Sequence, residues 1–252
     1  MPGPRSVTAS LAEVARRLKP AVRRPDARAR PDTDRLSGFG SRSGIGSGPG
    51  SSPRLLLMTD SVRLPDPERA VGALPRGSGV VLRERDGERR RALAVRLAPL
   101  CRRRRVRLLI AGDWRLAVAA GADGVHLSEA AARGEPRRWQ AVRRRGMRVT
   151  AAAHSPRAIR RAAALGLDGV LLSPVAPTDS HPTGSHPSAR PLGPLRFARW
   201  AHEAPLPVYA LGGIDARTAL RLLPARPAGF AAIGALSASA VPDGGGRSSL
   251  RS

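Results

Sequence analysis

With 252 residues, 44 lysines and arginines against 19 acidic residues and a formal net charge of +25, the chain is strongly basic, yet 41% of it is hydrophobic, enough for one buried core. Its single cysteine, Cys101, excludes an internal disulfide or a cysteine-clustered metal site, and no run approaches the roughly 18 apolar residues of a membrane span. The N-terminus lacks the apolar region of a secretory signal, so the cytoplasm is the default location.

Residues 1–52 are poor in large apolar side chains and end in SGFGSRSGIGSGPGSS, so they read as a basic, disordered extension. Within them Ser10–Arg24 has the pattern of a basic amphipathic helix, compatible with a transit peptide or a membrane-surface contact. Residues 53–240 read as the folded domain, and 241–252 as a disordered Gly/Ser/Arg tail. Apolar runs predict strands at Leu55–Thr59, Gly79–Arg83, Val106–Ile110, Gly124–Leu127, Arg148–Ala152, Gly169–Leu172, Pro207–Leu211 and Gly229–Ile233. Helical periodicity fills the gaps at Pro67–Leu74, Glu88–Arg103, Trp114–Ala120, Pro136–Arg145, Pro156–Leu165, Pro194–His202 and Ala216–Leu223. Cys101 falls near the end of the second of these, as a small, partly buried hydrophobe.

Strands this apolar suit a parallel sheet covered on both faces, and the alternation predicts an α/β fold, a short (β/α)8 TIM barrel with minimal helices. Little after Ser237 is available for an eighth helix. A doubly wound open sheet would want a Gly-rich phosphate turn after the first strand, and Met58-Thr-Asp-Ser61 is not one.

Chemistry in such a barrel sits at the carboxyl ends of the strands. There Arg83 and Arg85 follow the second strand, on one face if the period of two continues, where they would suit a phosphorylated ligand; a solvated charge run is the equal alternative. Asp113 ends the third strand and His126 lies late in the fourth. His154, after the fifth, is a candidate general acid/base. Thr178, Ser180 and His181 suit an anion-binding loop or, equally, a polar Pro-rich one. Gly212 and Gly213, with a helix start near Asp215, would let backbone N–H groups approach a phosphate, and Gly234 would complete that site. Nearly all the cationic charge is arginine, Lys19 being the one lysine, and runs such as Arg102–Arg105 and Arg143–Arg145 end helices, where the dipole favours them. With so few aromatic residues to stack bases, a nucleic-acid partner is disfavoured.

The ordered series MTD, VVLRER, IAGD…GADGVHLS, AAAHS, SPVAPTDSH and ALGGI, from Leu55 to about Leu236, resembles the thiamine phosphate synthase and thiazole tautomerase superfamily. The resemblance implies an enzyme of thiamine biosynthesis that couples an aminopyrimidine diphosphate to a thiazole phosphate and releases diphosphate, with Mg²⁺ as cofactor. It implies Arg83 and Arg85 on the diphosphate, Arg85 replacing a lysine; Asp113 as a Mg²⁺ ligand; and His126 lining the pyrimidine pocket. Thr178, Ser180, His181, Gly212, Gly213 and Gly234 would hold the thiazole phosphate, with Gly234 standing where a serine is usual and His181 where a lysine is.

The chain departs from the synthase pattern at Val81, where a pyrimidine-reading glutamine is usual, and at Gly112, where an asparagine is. Ser128-Glu-Ala-Ala131 replaces a segment ending in a second metal-binding carboxylate, leaving Glu129 as the available substitute. The tautomerase branch needs no metal and moves a proton with a histidine matching His154. A phosphate-ligand barrel without catalysis is the third reading. Substrates would be small phosphorylated molecules; a membrane partner is not expected, and a homo-oligomer is compatible with the pattern.

Overall fold

The structure is a computed structural model that describes residues 10–18, 52–178 and 190–237. Eight parallel strands close into a barrel in chain order, β1 pairing with both β2 and β8. They are β1 (Leu55–Met58), β2 (Gly79–Leu82), β3 (Arg107–Ala111), β4 (Gly124–Leu127), β5 (Arg148–Ala153), β6 (Gly169–Leu172), β7 (Val208–Leu211) and β8 (Gly229–Ala232). The helices are α1 (Leu11–Arg16), α2 (Pro67–Ala73), α3 (Gly87–Arg104), α4 (Trp114–Ala119), α5 (Pro136–Arg144), α6 (Pro156–Ala164), α7 (Gly193–Glu203), α8 (Ala216–Leu222) and the single turn α9 (Gly234–Ser237). Closure excludes the open doubly wound sheet, and no helix among the described residues is long and apolar enough to cross a membrane.

Helix starts follow local chemistry. Asp66, Asp86, Asp113, Ser155 and Asp215 each accept the N–H three residues on, closing the first turns of α2, α3, α4, α6 and α8. Because helices begin where strands end, these caps lie at the carboxyl mouth of the barrel.

The opposite rim is stitched by a repeated Gly-x-Asp-Gly turn. Asp123 accepts the Leu108 N–H at 2.8 Å and Asp168 accepts the Val149 N–H at 2.8 Å, each tying the entry of one strand to its neighbour. All four even-numbered strands then open with an inward-facing glycine: Gly79, Gly124, Gly169 and Gly229. Longer side chains from the odd strands use that space. A Cβ on Gly229 would stand 2.7 Å from Cε1 of the buried Tyr209 ring. Outward positions such as Val80, Leu82, Ile110, Val125, Leu127 and Val149 are wholly buried beneath the helices.

Two expectations are corrected. Residues 1–52 are not uniformly without structure: Ser10 and Glu13 form a reciprocal capping box, and Leu11, Val14, Ala15 and Leu18 are buried in the common core. That i, i+3, i+4, i+7 stripe gives α1 an apolar face against α8. The rest of that extension, the 241–252 tail, Ser180 and His181 lie outside the described residues. Cys101 is more deeply buried than expected, 1% exposed on the inner face of α3, and burial with nearby Asp123 pushes its thiol up to about 12.

Candidate active site at the barrel mouth

The floor of the mouth is set by strand register. Met58, Val81 and Leu109 are in-register neighbours on β1–β3 and make one side apolar. Ala111, His126 and Thr150 are in-register neighbours on β3–β5, and His126 Nδ1 shares a 3.0 Å hydrogen bond with Thr150 Oγ1. His126 is 6% exposed, and burial first, then the Arg83 guanidinium, push its pKa down to about 3. This imidazole is neutral at physiological pH. Val81 supplies no amide at the position where the resemblance expects glutamine.

Above this floor stands Arg83. Strand β2 stops at Leu82, so the period-two alignment does not carry through to Arg85. Instead the buried Thr59 hydroxyl accepts the Arg83 N–H at 2.7 Å and donates to the Arg83 carbonyl at 3.3 Å, locking that residue's backbone to the end of β1. The Arg83 side chain is open to solvent yet surrounded by the concave mouth, and this desolvation, with Arg63 and Arg85 nearby, lowers its pKa against the pull of Asp60. Among the described residues no ion pair or hydrogen bond engages the Arg83 or Arg85 guanidinium.

The acidic residues follow a rule. Two positions beyond β1, β2, β3 and β4 stand Asp60, Glu84, Asp113 and Glu129, and each faces an arginine. The pairs are Asp60–Arg63 at 2.8 Å, Glu84–Arg89 at 3.2 Å, Asp113–Arg90 at 3.7 Å and Glu129–Arg133 at 3.0 Å. Asp60 is held well below the usual carboxylate range by its hydrogen bond to Arg63.

Whether this donor set fits Mg²⁺ can be read from its partners. Asp113 Oδ1 is occupied as the cap of α4, accepting the Leu116 N–H at 2.9 Å, and Oδ2 faces Arg90. A dication on Asp113 would therefore share that carboxylate with a guanidinium, and like charges at such separation repel strongly in a partly desolvated mouth. Glu129 is not poised to replace the missing carboxylate: Oε2 accepts the His154 N–H at 3.0 Å and Oε1 binds Arg133. Among the described residues no group of three or more His, Cys, Asp or Glu is placed to hold a metal. The one buried side-chain polar atom without a partner among them, Arg90 Nε, is a donor rather than a metal ligand. The residues present do not fit a protein-held Mg²⁺.

Across the mouth the chemistry changes. His154 Nδ1 lies 2.8 Å from the Ser173 carbonyl oxygen. A carbonyl only accepts, so Nδ1 carries a proton, and in the neutral ring Nε2 is the nitrogen with the lone pair. The paired glycines after β7 have a nearer reason than phosphate approach. Gly213 has φ +62°, and a Cβ there would stand 2.3 Å from the Pro177 carbonyl oxygen. The loop after β6 docks onto this turn, Val175 N–H donating to Leu211 and Ala176 N–H to Gly212. Thr178 is half-buried in that loop, and Gly234, at the start of α9, has no atom within 4 Å of a built Cβ.

Of the expected site residues, Arg83 and His126 meet electrostatically, while Asp113 and Glu129 are engaged elsewhere. Sequence reading missed Thr59, Thr150 and Arg90. Thr150 had a signal, the shared third position of β4 and β5 opposite His126, whereas Arg90 is one of three consecutive arginines and had none.

The mouth architecture coincides with a match over residues 58–236 to the family described as thiamine monophosphate synthase. The chain belongs to that family. The thiamine-phosphate synthase of Chlorobium limicola is 31% identical over 196 residues, covering 77% of this chain and 90% of that one. The Thermus thermophilus thiamine-phosphate synthase is 38% identical over 154 residues, 59% of this chain and 69% of that protein. The Rhizobium etli thiamine-phosphate synthase is 35% identical over 140 residues, and the matched region spans 62% of its length. The fold is shared with the thiamine phosphate pyrophosphorylase of Pyrococcus furiosus, with a TM-score of 0.63 and 20% identity over 75% of this chain and 93% of that one. The protein is a transferase-class enzyme of thiamine biosynthesis.

Proposed function

We propose that the chain joins an aminopyrimidine diphosphate to a thiazole phosphate and releases diphosphate. The observation that carries this reading is the Arg83–His126 pair: a guanidinium without an acceptor among the described residues lies close enough to a buried imidazole to help keep it neutral. In that arrangement Arg83, with Arg85, binds the diphosphate. The C–O bond to it breaks with its electron pair staying on oxygen, and the thiazole nitrogen captures the pyrimidine cation. His126, kept uncharged, lines the pyrimidine pocket without opposing that cation. Thr178, Gly212, Gly213 and Gly234 form the thiazole phosphate side, to which the family resemblance adds Ser180 and His181, outside the described residues. Incubation with both precursors should release diphosphate; no release at high enzyme concentration would withdraw the synthase reading.

A second reading, a metal-independent thiazole tautomerase, is favoured by one observation, the 2.8 Å contact of His154 Nδ1 with the Ser173 carbonyl, which orients the ring and commits Nδ1 as the donor. Under it, His154→Ala lowers isomerisation of the carboxythiazole phosphate by roughly 10²–10⁴-fold and chelator has no effect. Isomerisation that survives His154→Ala would remove this reading.

A further inference from the structure

We infer that Arg90 is an anion-holding residue that takes, in this chain, the place of a metal ion between Asp113 and a diphosphate. The inference rests on the diphosphate-releasing reading above and goes beyond it by assigning a residue and a metal-free binding mode.

Arg90 lies in the first turn of α3, and its side chain spans two strand ends. Nη1 donates to the Glu84 carbonyl at 3.3 Å, beyond β2, and Nη2 faces Asp113 Oδ2 at 3.7 Å, beyond β3. The second distance is too long for a formed hydrogen bond, so Asp113 orients the guanidinium without using up its donors. Nε is buried and without an acceptor among the described residues. A guanidinium offers five N–H donors in a fixed fork; here one Nη1 donor is used on Glu84, Nε has no acceptor and Nη2 none within hydrogen-bond distance among the described residues.

Its two neighbours differ. Arg89 pairs with Glu84 at 3.2 Å, and Arg91 is exposed with no partner among the described residues. Among the described residues, Arg90 alone of the three contacts residues beyond both β2 and β3.

Arg83 and Arg85 follow the first of those strand ends, and their guanidinium groups have no hydrogen-bond or ion-pair partner among the described residues. Arg83 and Arg85 are close enough to repel one another after β2, and Arg90 reaches the ends of β2 and β3, so this half of the mouth suits a ligand carrying several negative charges; charge-assisted, forked hydrogen bonds do for departing oxygens what a dication would otherwise do. The same three groups oppose a dication. Asp113 then acts as a positioning residue, capping α4 with one oxygen and holding Arg90 with the other.

Titration calorimetry with inorganic pyrophosphate tests this directly on the full chain, in EDTA and again in Mg²⁺. The expected result is binding in EDTA that Mg²⁺ does not strengthen. Arg90→Gln should weaken it by about tenfold or more in EDTA, while Arg91→Gln leaves it unchanged. Arg90→Lys, which keeps the charge and loses the fork, should fall between wild type and Arg90→Gln, and it carries the comparison if the glutamine variant does not fold. Pyrophosphate binding that appears only with Mg²⁺, or that Arg90→Gln leaves intact, overturns the inference. Metal-free binding by a protein that cannot join the two precursors would support Arg90's role and remove the synthase reading instead.

Discussion

The β1–β4 half of the mouth and the β5–β8 half are built from the same scaffold and finished differently. Each strand of the first half is followed, two residues on, by a carboxylate facing an arginine, and the guanidinium groups of Arg83 and Arg85 have no hydrogen-bond or ion-pair partner among the described residues. The corresponding positions of the second half are Ser155, Pro174, Gly213 and Gly234, with His154 and the α8 cap Asp215 as titratable groups among the described residues beside them. One half is arranged to receive negative charge, and its acids are already committed to holding its bases. The other is arranged to bring backbone close and to keep one imidazole lone pair available. His126 lies at the seam, on the strand where the charged half ends, and it is kept neutral by burial and by Arg83.

Arg83→Ala is the largest expected break. Removing the donor that stands over the pyrimidine side should lower kcat/KM by roughly 10²–10³-fold, as loss of a preorganised donor to developing anionic charge does. Steady-state kinetics with both precursors reads this. A loss under about tenfold would move the diphosphate away from the charged half.

Gly213→Ala should act on the other half through structure. The methyl would meet the Pro177 carbonyl, and the φ of +62° disfavours any side chain, so a loss of roughly 1–3 kcal/mol is expected in urea unfolding. An alanine variant as stable as wild type would mean that the loop after β6 does not depend on close docking.

The seam itself is read by pH. Between the ordinary histidine value of 6.5 and the native value of about 3, the unfolded chain takes up a proton that the barrel refuses. His126 therefore leaves stability intact above the upper value and erodes it as pH falls toward the lower one, by up to about 1.4 kcal/mol per pH unit. Urea unfolding between about pH 5 and 7 should show a gentler pH dependence for His126→Gln than for wild type. Identical slopes would show that His126 is protonated in the native barrel.

Much of the scaffold was legible because its signals are local. Apolar runs bounded by glycine, and helices opened by Pro after a small polar cap, placed every strand and the seven helices between them to within a residue or two. α1 was written in the Ser10-x-x-Glu13 capping box and the Leu11, Val14, Ala15, Leu18 stripe, but its core lies across the barrel on α8, beyond any local window. The site was legible as a set of strand ends and less so as partnerships. That Asp113 caps a helix could be read from its place before Trp114; that its second oxygen meets Arg90 could not, because three successive arginines look alike until α3 is rotated into position. The Gly212-Gly213 pair pointed to close approach. What approaches, among the described residues, is the loop after β6.

The lone thiol gives the molecule a built-in clock. Cys101 lies against the barrel on α3, the same helix whose first turn carries Arg90, and in the native state it is both shielded and held in its unreactive protonated form. Alkylation at neutral pH can then proceed only through openings that lift the end of α3 off β3. Its rate counts those openings, and any slowing by pyrophosphate would measure how firmly a ligand at the mouth fastens the far end of the helix beneath it.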